Sequence, residues 1–246
     1  MGSPIHYWNR AAFEGLRDLA AALREDPRME PLARYCELRE RGLRREAFAA
    51  LQGFLGSTAA LEPGAQRQLV LRVLAAHARA PEAHQFLSQP LLAGLVEPVL
   101  RAWCAEQPSD PVPAAALGLL LGERELLERA LALEPADDRV RARLVSQLLG
   151  EVDFATHHLS ESSFIGEPAA AAAVLEAAES LMQGAADAAH FDALRSELAE
   201  LRRLLRDWAE YSACPEGSFP DWCRARGRAH RWWTAYYYEL PTRKRT

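Results

Sequence analysis

Asp153, His157 and Glu161 stand at i, i+4 and i+8, with His158 beside them. On a helix this spacing puts carboxylate, imidazole and carboxylate on one face, and these are donor types that hold divalent cations. A third ligand two helical turns along is too far away for one ion, and the serines from 160 to 163 break the helix nearby. The three residues are therefore weak metal candidates, and an exposed polar face is the preferred reading. Ser160, Ser162 and Ser163 beside the two histidines offer hydroxyl and base. A nucleophile of that kind sits on a strained turn such as Gly-x-Ser-x-Gly, and the sequence has none. Helix capping and loop solvation account for these serines. A phosphate loop, a dinucleotide fingerprint, a His-Glu-x-x-His pair and an EF-hand loop are also missing. No catalytic residue and no cofactor is assigned, and the chain is expected not to be an enzyme.

The second group of chemically capable residues lies near the end. Trp222, Trp232, Trp233, Tyr236, Tyr237 and Tyr238 are interleaved with Arg224, Arg228 and Arg231. A last helix is expected over 220–240. On its wheel Trp222, Ala225, Ala229, Trp232, Trp233, Tyr236 and Leu240 share one side and the three arginines the other. Such a helix caps a helical stack, anchors a protein partner, or stacks on bases while arginine neutralises phosphates. The partner-binding candidates are Trp222, Arg224, Arg228, Arg231, Trp232, Trp233, Tyr236 and Tyr237. Charge is uneven as well. Of a net −5, residues 222–246 carry +6, which leaves −11 for residues 1–221.

The elements that must position these side chains are helices. Alanine, leucine, glutamate and arginine dominate, β-branched residues are scarce, and no stretch alternates polar and apolar residues as a half-buried strand does. Punctuation divides the chain often. Asn9 caps a first helix, Gly42 ends a second and Gly56 a third, while Pro63, Pro81 and Pro90 open others. Pro98 is expected to kink or split its helix. After a loop at 160–167, Pro168 opens an alanine-rich helix closed by Gly184. A long helix follows, carrying Leu194, Leu198, Leu201, Leu205 and Trp208 on one stripe.

In the middle, Leu120-Leu121-Gly122-Glu123 returns as Leu148-Leu149-Gly150-Glu151, an offset of 28 residues. Asp110 then pairs with Asp138, Val112 with Val140 and Leu126 with Phe154. The expected unit is a helix, a glycine turn and a second helix, stacked on its neighbours. Residues 126–138, Leu-Leu-Glu-Arg-Ala-Leu-Ala-Leu-Glu-Pro-Ala-Asp-Asp, resemble the second helix and closing turn of a tetratricopeptide repeat. Ala130 and Pro135 fall where that family keeps a small residue and a proline. The match covers about residues 110–160. The family's first-helix aromatic and Leu-Gly signature is not found upstream, and the period is shorter than about 34 residues. The resemblance implies a scaffold that binds peptides or proteins.

Composition sets the outer bounds. With 246 residues, 49% of them hydrophobic and 26% charged, the chain can bury a sizeable core. The most apolar run, residues 111–122, falls short of the roughly 20 residues a membrane span needs. No signal peptide is visible, and the cysteines at 36, 104, 214 and 223 fit no metal spacing, so a reducing cytoplasm is expected. The reading is an all-α protein, an α-α superhelix or irregular array of antiparallel helix pairs. It comprises a helical-repeat region over 1–160 and a C-terminal helical region over 161–246. Its expected function is non-catalytic binding of a protein or peptide partner. The alternatives are nucleic-acid binding through the basic aromatic end and an inhibitor or immunity-type protein that neutralises a basic partner.

Overall fold

The computed structural model describes residues 10–232, so Asn9 lies outside the described residues. Among them every regular element is helical. Packing divides the chain between Leu117 and Gly118 into two compact units.

In the first unit, α1 (Arg10–Leu23) buries Leu16, Leu19, Ala20 and Leu23. Asp26 accepts from the backbone N–H of Arg28 and starts a short 3-10 turn, Pro27–Met29, that leads into α2 (Glu30–Glu40). Gly42, at φ +74°, closes α2 with two bonds, Leu43 N–H to Leu38 O and Gly42 N–H to Arg39 O. That pattern needs a left-handed residue, which glycine adopts at no steric cost. The next helix, α3 (Arg44–Ala59), runs through Gly56 rather than stopping there. Its buried stripe of Ala47, Leu51, Phe54 and Thr58 continues past the glycine, so packing outweighs the weak helix preference of one residue. After α4 (Pro63–Arg79), Pro81 opens no helix. Ala83 and Phe86 are buried from a loop there, and the loop is held by Tyr35, whose hydroxyl donates to Gln85 O at 2.7 Å. Pro90 does open a helix, α5 (Gln89–Leu91), which widens into a π turn over Leu92–Val96 before α6 (Glu97–Glu106). The π turn sits just before Pro98. Proline has no N–H and its ring crowds the carbonyl four residues back, so the helix distorts as expected but stays continuous.

The unit boundary falls inside α7 (Pro111–Leu121). Gly122, at φ +72°, turns the chain into α8 (Arg124–Leu133), and Gln147 fixes the turn by donating to Gly122 O at 2.7 Å. Pro135 then sits in the turn to α9 (Asp138–Thr156). Asp137 caps α9, accepting from Arg139 N and Val140 N. The neighbouring Asp138 carboxylate accepts from the N–H groups of Ala186 and Asp187, at 3.1 and 2.7 Å. The buried Arg141 donates to Leu181 O and Pro135 O. These groups clasp the α8–α9 turn to the end of α10 (Pro168–Gln183). Buried backbone oxygens near a guanidinium are satisfied there rather than orphaned.

The 28-residue echo does not mark equivalent structure. Gly122 makes a turn, whereas Gly150 lies within α9, and apart from the adjoining chain nothing comes within 4 Å of where its β-carbon would stand. Leu149, Val152 and Thr156 carry the buried stripe across Gly150, and no such continuation follows Gly122. Phe154, which the offset pairs with the half-buried Leu126, is 65% exposed. The change of sequence pattern near residue 160 falls inside the second unit, where α9, α10 and α11 (Asp192–Ala213) pack on one another. Val145, Leu149, Leu175, Ala178, Phe191 and Leu198 fill the space between them.

The end of the chain departs most from expectation. The last helix among the described residues, α12, spans only Phe219–Ala225. Gly227 at φ +65° closes it with the same two bonds seen at Gly42, Arg228 N–H to Cys223 O and Gly227 N–H to Arg224 O. Residues 228–232 leave α12 in non-helical form. The helix expected over 220–240 is therefore not formed between 227 and 232, and its wheel does not apply there. Residues 233–240 lie outside the described residues.

Candidate functional site: the α11 groove and its terminal segment

α11 presents two faces to the end of the chain. One carries Trp208 and Tyr211. With Phe219, Trp222 and Cys223 of α12 and Leu159 after α9 they form a small aromatic core, and Trp232 packs against it. Trp208 and Phe219 meet edge to face at 5.2 Å between centroids, an arrangement favoured by the ring quadrupoles. Ser162, in a left-handed conformation at φ 58°, accepts from Phe219 N–H at 2.7 Å and holds the start of α12.

At the border of this core Asp207 is 2% exposed. A buried carboxylate is costly unless paired and hydrogen-bonded. Here Oδ2 accepts from Nε2–H of His230 at 2.7 Å, and Oδ1 accepts from Nη1 of Arg228 at 2.7 Å. Arg228 also reaches Glu210 at 2.8 Å, and its guanidinium lies 5.0 Å from the Trp222 ring centre. The His230 side chain is only 3% exposed and stacks toward Phe219.

Along α11 runs a groove of about 750 Å³. Glu197, Glu200 and Arg203 line it from α11 and Asp153 from α9, while His230, Arg231 and Trp232 close it from the terminal segment. Burial pushes the Glu197 carboxyl above its ordinary range, and the nearby charges of Asp153 and Glu200 push it further.

The residues singled out by spacing are distributed unevenly over this site. Trp222 is buried in the aromatic core. Arg224 pairs with Asp221, Arg228 with Asp207 and Glu210, and Arg226 lies over Trp222 at 4.2 Å. Arg231 and Trp232 line the groove. Trp233, Tyr236 and Tyr237 lie outside the described residues. The basic helix face that nucleic-acid binding relied on is thus absent between 227 and 232, and Arg224 and Arg228 are engaged in ion pairs within the chain. As for the metal candidates, α9 ends at Thr156, which puts Asp153 in the groove and Glu161 in the 3-10 turn Leu159–Glu161. His158 Nδ1 stands 3.5 Å from Glu161, and the His157 and His158 rings meet edge to face. Among the described residues no three His, Cys, Asp or Glu side chains cluster to hold a metal ion.

Asp207, His230, Glu197 and Glu200 were not marked by spacing. The available signal was Asp207 itself, a charge between Leu204, Trp208 and Tyr211 at helical spacing, where an apolar residue is the norm. Cys223 sits near Asp207, which binds His230, and this invites comparison with a Cys-His-Asp triad. Its thiol is 1% exposed, and burial pushes its pKa up, with the Asp207 charge adding to the effect. An activated cysteine needs the opposite, a lowered pKa and access to substrate.

The chain matches no family model, no curated protein and no solved structure. No helix among the described residues is long and apolar enough to cross a membrane.

Proposed function

We propose that this protein is a non-catalytic binding scaffold that receives a segment of a protein partner in the α11 groove. The observation that carries the reading is the groove itself: a recess lined by three carboxylates and an indole. Indole and arginine side chains dominate protein-binding hot spots, and Trp232 and Arg231 line this recess. The likeness of residues 126–138 to a tetratricopeptide repeat supports the same class of function. Three carboxylates against the two arginines Arg203 and Arg231 leave the lining slightly acidic, and this and the −11 charge of residues 1–221 favour a basic partner. That observation also favours a second reading, in which the captured basic protein is thereby inhibited.

The test compares wild-type protein with a Glu197→Arg, Glu200→Arg double variant as immobilised bait, with captured proteins identified by mass spectrometry. Charge reversal at two groove positions is expected to lower capture of a basic protein at least about tenfold, equivalent to about 1.4 kcal/mol. Equal capture by both baits, or substrate turnover by a protein that captures nothing, overturns the reading.

A further inference from the structure

Residues 228–232 lie against α11 and α12 in the manner of a bound peptide. Their inward side chains alternate, as in an extended strand. Arg228 reaches Asp207 and Glu210, His230 reaches Asp207 and Phe219, and Trp232 packs on Phe219 at 5.6 Å between centroids. The intervening Ala229 and Arg231 are exposed. Beyond the bond from Arg228 N–H that closes α12, no backbone hydrogen bond among the described residues ties 229–232 to the rest of the chain. The segment is held by three side chains, two of them on one buried carboxylate.

This geometry has the parts of an extended-peptide site: a buried charge that specifies a basic residue and an aromatic pocket two to four positions further on. We infer that the face formed by Asp207, Glu210, Phe219 and Trp222 is a recognition site for an extended basic–x–aromatic–x–aromatic segment, filled in cis by Arg228, His230 and Trp232. A partner protein bearing such a segment takes the same place by displacing residues 228–232. The step rests on the proposed binding function and names the partner's chemistry. Charge complementarity supports the basic first position, since Asp207 and Glu210 both bind Arg228. The aromatic positions follow from the ring cluster that receives His230 and Trp232.

The probe is a synthetic, end-capped peptide with the sequence of residues 226–234, Arg-Gly-Arg-Ala-His-Arg-Trp-Trp-Thr, carrying a fluorophore. It is titrated into full-length wild-type protein and into a full-length Arg228→Ala, His230→Ala, Trp232→Ala variant whose site is vacated. The vacated variant is expected to bind at least about tenfold more tightly, because in wild type the cis segment competes at high effective concentration. Adding Asp207→Asn to the vacated variant is expected to remove at least about tenfold of that affinity, and a scrambled peptide of equal charge binds no better to it than to wild type. No saturable binding to a vacated variant with native circular dichroism and cooperative melting overturns the inference. So does binding indifferent to Asp207→Asn. A His230→Ala single variant, which leaves Arg228 on Asp207, provides the same reading if the triple variant fails to fold, with an intermediate gain in affinity expected and no gain counting against the site. Concentration-dependent dimers of wild type that dissociate on adding the peptide name a second copy as occupant and overturn the partner assignment. If the peptide does not bind while the groove still captures a partner through Glu197 and Glu200, this inference fails and the proposed function stands.

Discussion

Single residues in this protein owe their chemistry to burial more than to type. The cysteines show it. Cys36, Cys104 and Cys223 are buried and Cys214 is exposed. Burial pushes the Cys36 thiol up to about 12, with the Glu37 charge adding to the rise. The thiolate is the reactive form, so native protein mixed with an aromatic disulfide reagent is expected to react rapidly at Cys214 alone of its four thiols. Titration by absorbance checks this, and Cys214→Ser should abolish the fast phase. A fast phase of two or more equivalents contradicts it. Asp207 is the converse case. Its buried carboxylate is paired with Arg228 and His230, and these bonds bring a segment from 21 to 23 residues away onto α11.

At the scale of elements, glycines with different surroundings have different effects. A β-carbon at Gly118 would stand 2.7 Å from Leu127 Cγ and 3.0 Å from the Leu127 backbone nitrogen. Backbone does not move aside as a flexible side chain does. Gly118→Ala is therefore expected to force α7 from α8 and cost about 1–3 kcal/mol. Gly150, within α9 with open space around it, should behave oppositely, and Gly150→Ala is expected to stabilise by about 0.5–1 kcal/mol through the helix propensity of alanine. Urea denaturation of the two variants provides the comparison, and the same sign for both would show that the close approach at Gly118 and the open surroundings of Gly150 are wrongly distinguished. A different pair, Gly122 in a turn and Gly150 within α9, explains why the echo of Leu-Leu-Gly-Glu is legible in the sequence yet misleading. Gly122 is left-handed and ends its helix, whereas after Gly150 the buried stripe runs on and the helix continues.

For the molecule as a whole, charge is the property with long reach. Residues 1–221 carry −11, and the groove within the second unit places Asp153, Glu197 and Glu200 along its walls. Fields of this kind steer a basic partner and act mainly on the association rate. Raising salt from about 0.1 M to about 1 M shortens the screening length from about 10 Å to about 3 Å. The association rate with a captured basic partner is expected to fall at least about tenfold while the dissociation rate changes far less. Surface plasmon resonance measures both, and a salt-independent association rate would remove electrostatic steering from the account.

The sequence by itself determined the helical class, most helix positions and the buried stripes, because periodicity and capping act within about one or two turns of chain. Gly42 and Gly184 were legible in this way, and so was the disturbance at Pro98. Gly227 carries the same closing signal as Gly42, and the helix expected over 220–240 runs past it. Tertiary structure alone decided the site. Asp207 meets His230 and Arg228 only after the chain reverses between α11 and α12 and turns again at Gly227. Asp153 meets Glu197 only because α9 packs on α11. Contacts of that kind depend on which apolar faces bury each other, a choice made by the sum of many packing contacts and recorded in no local pattern of residues.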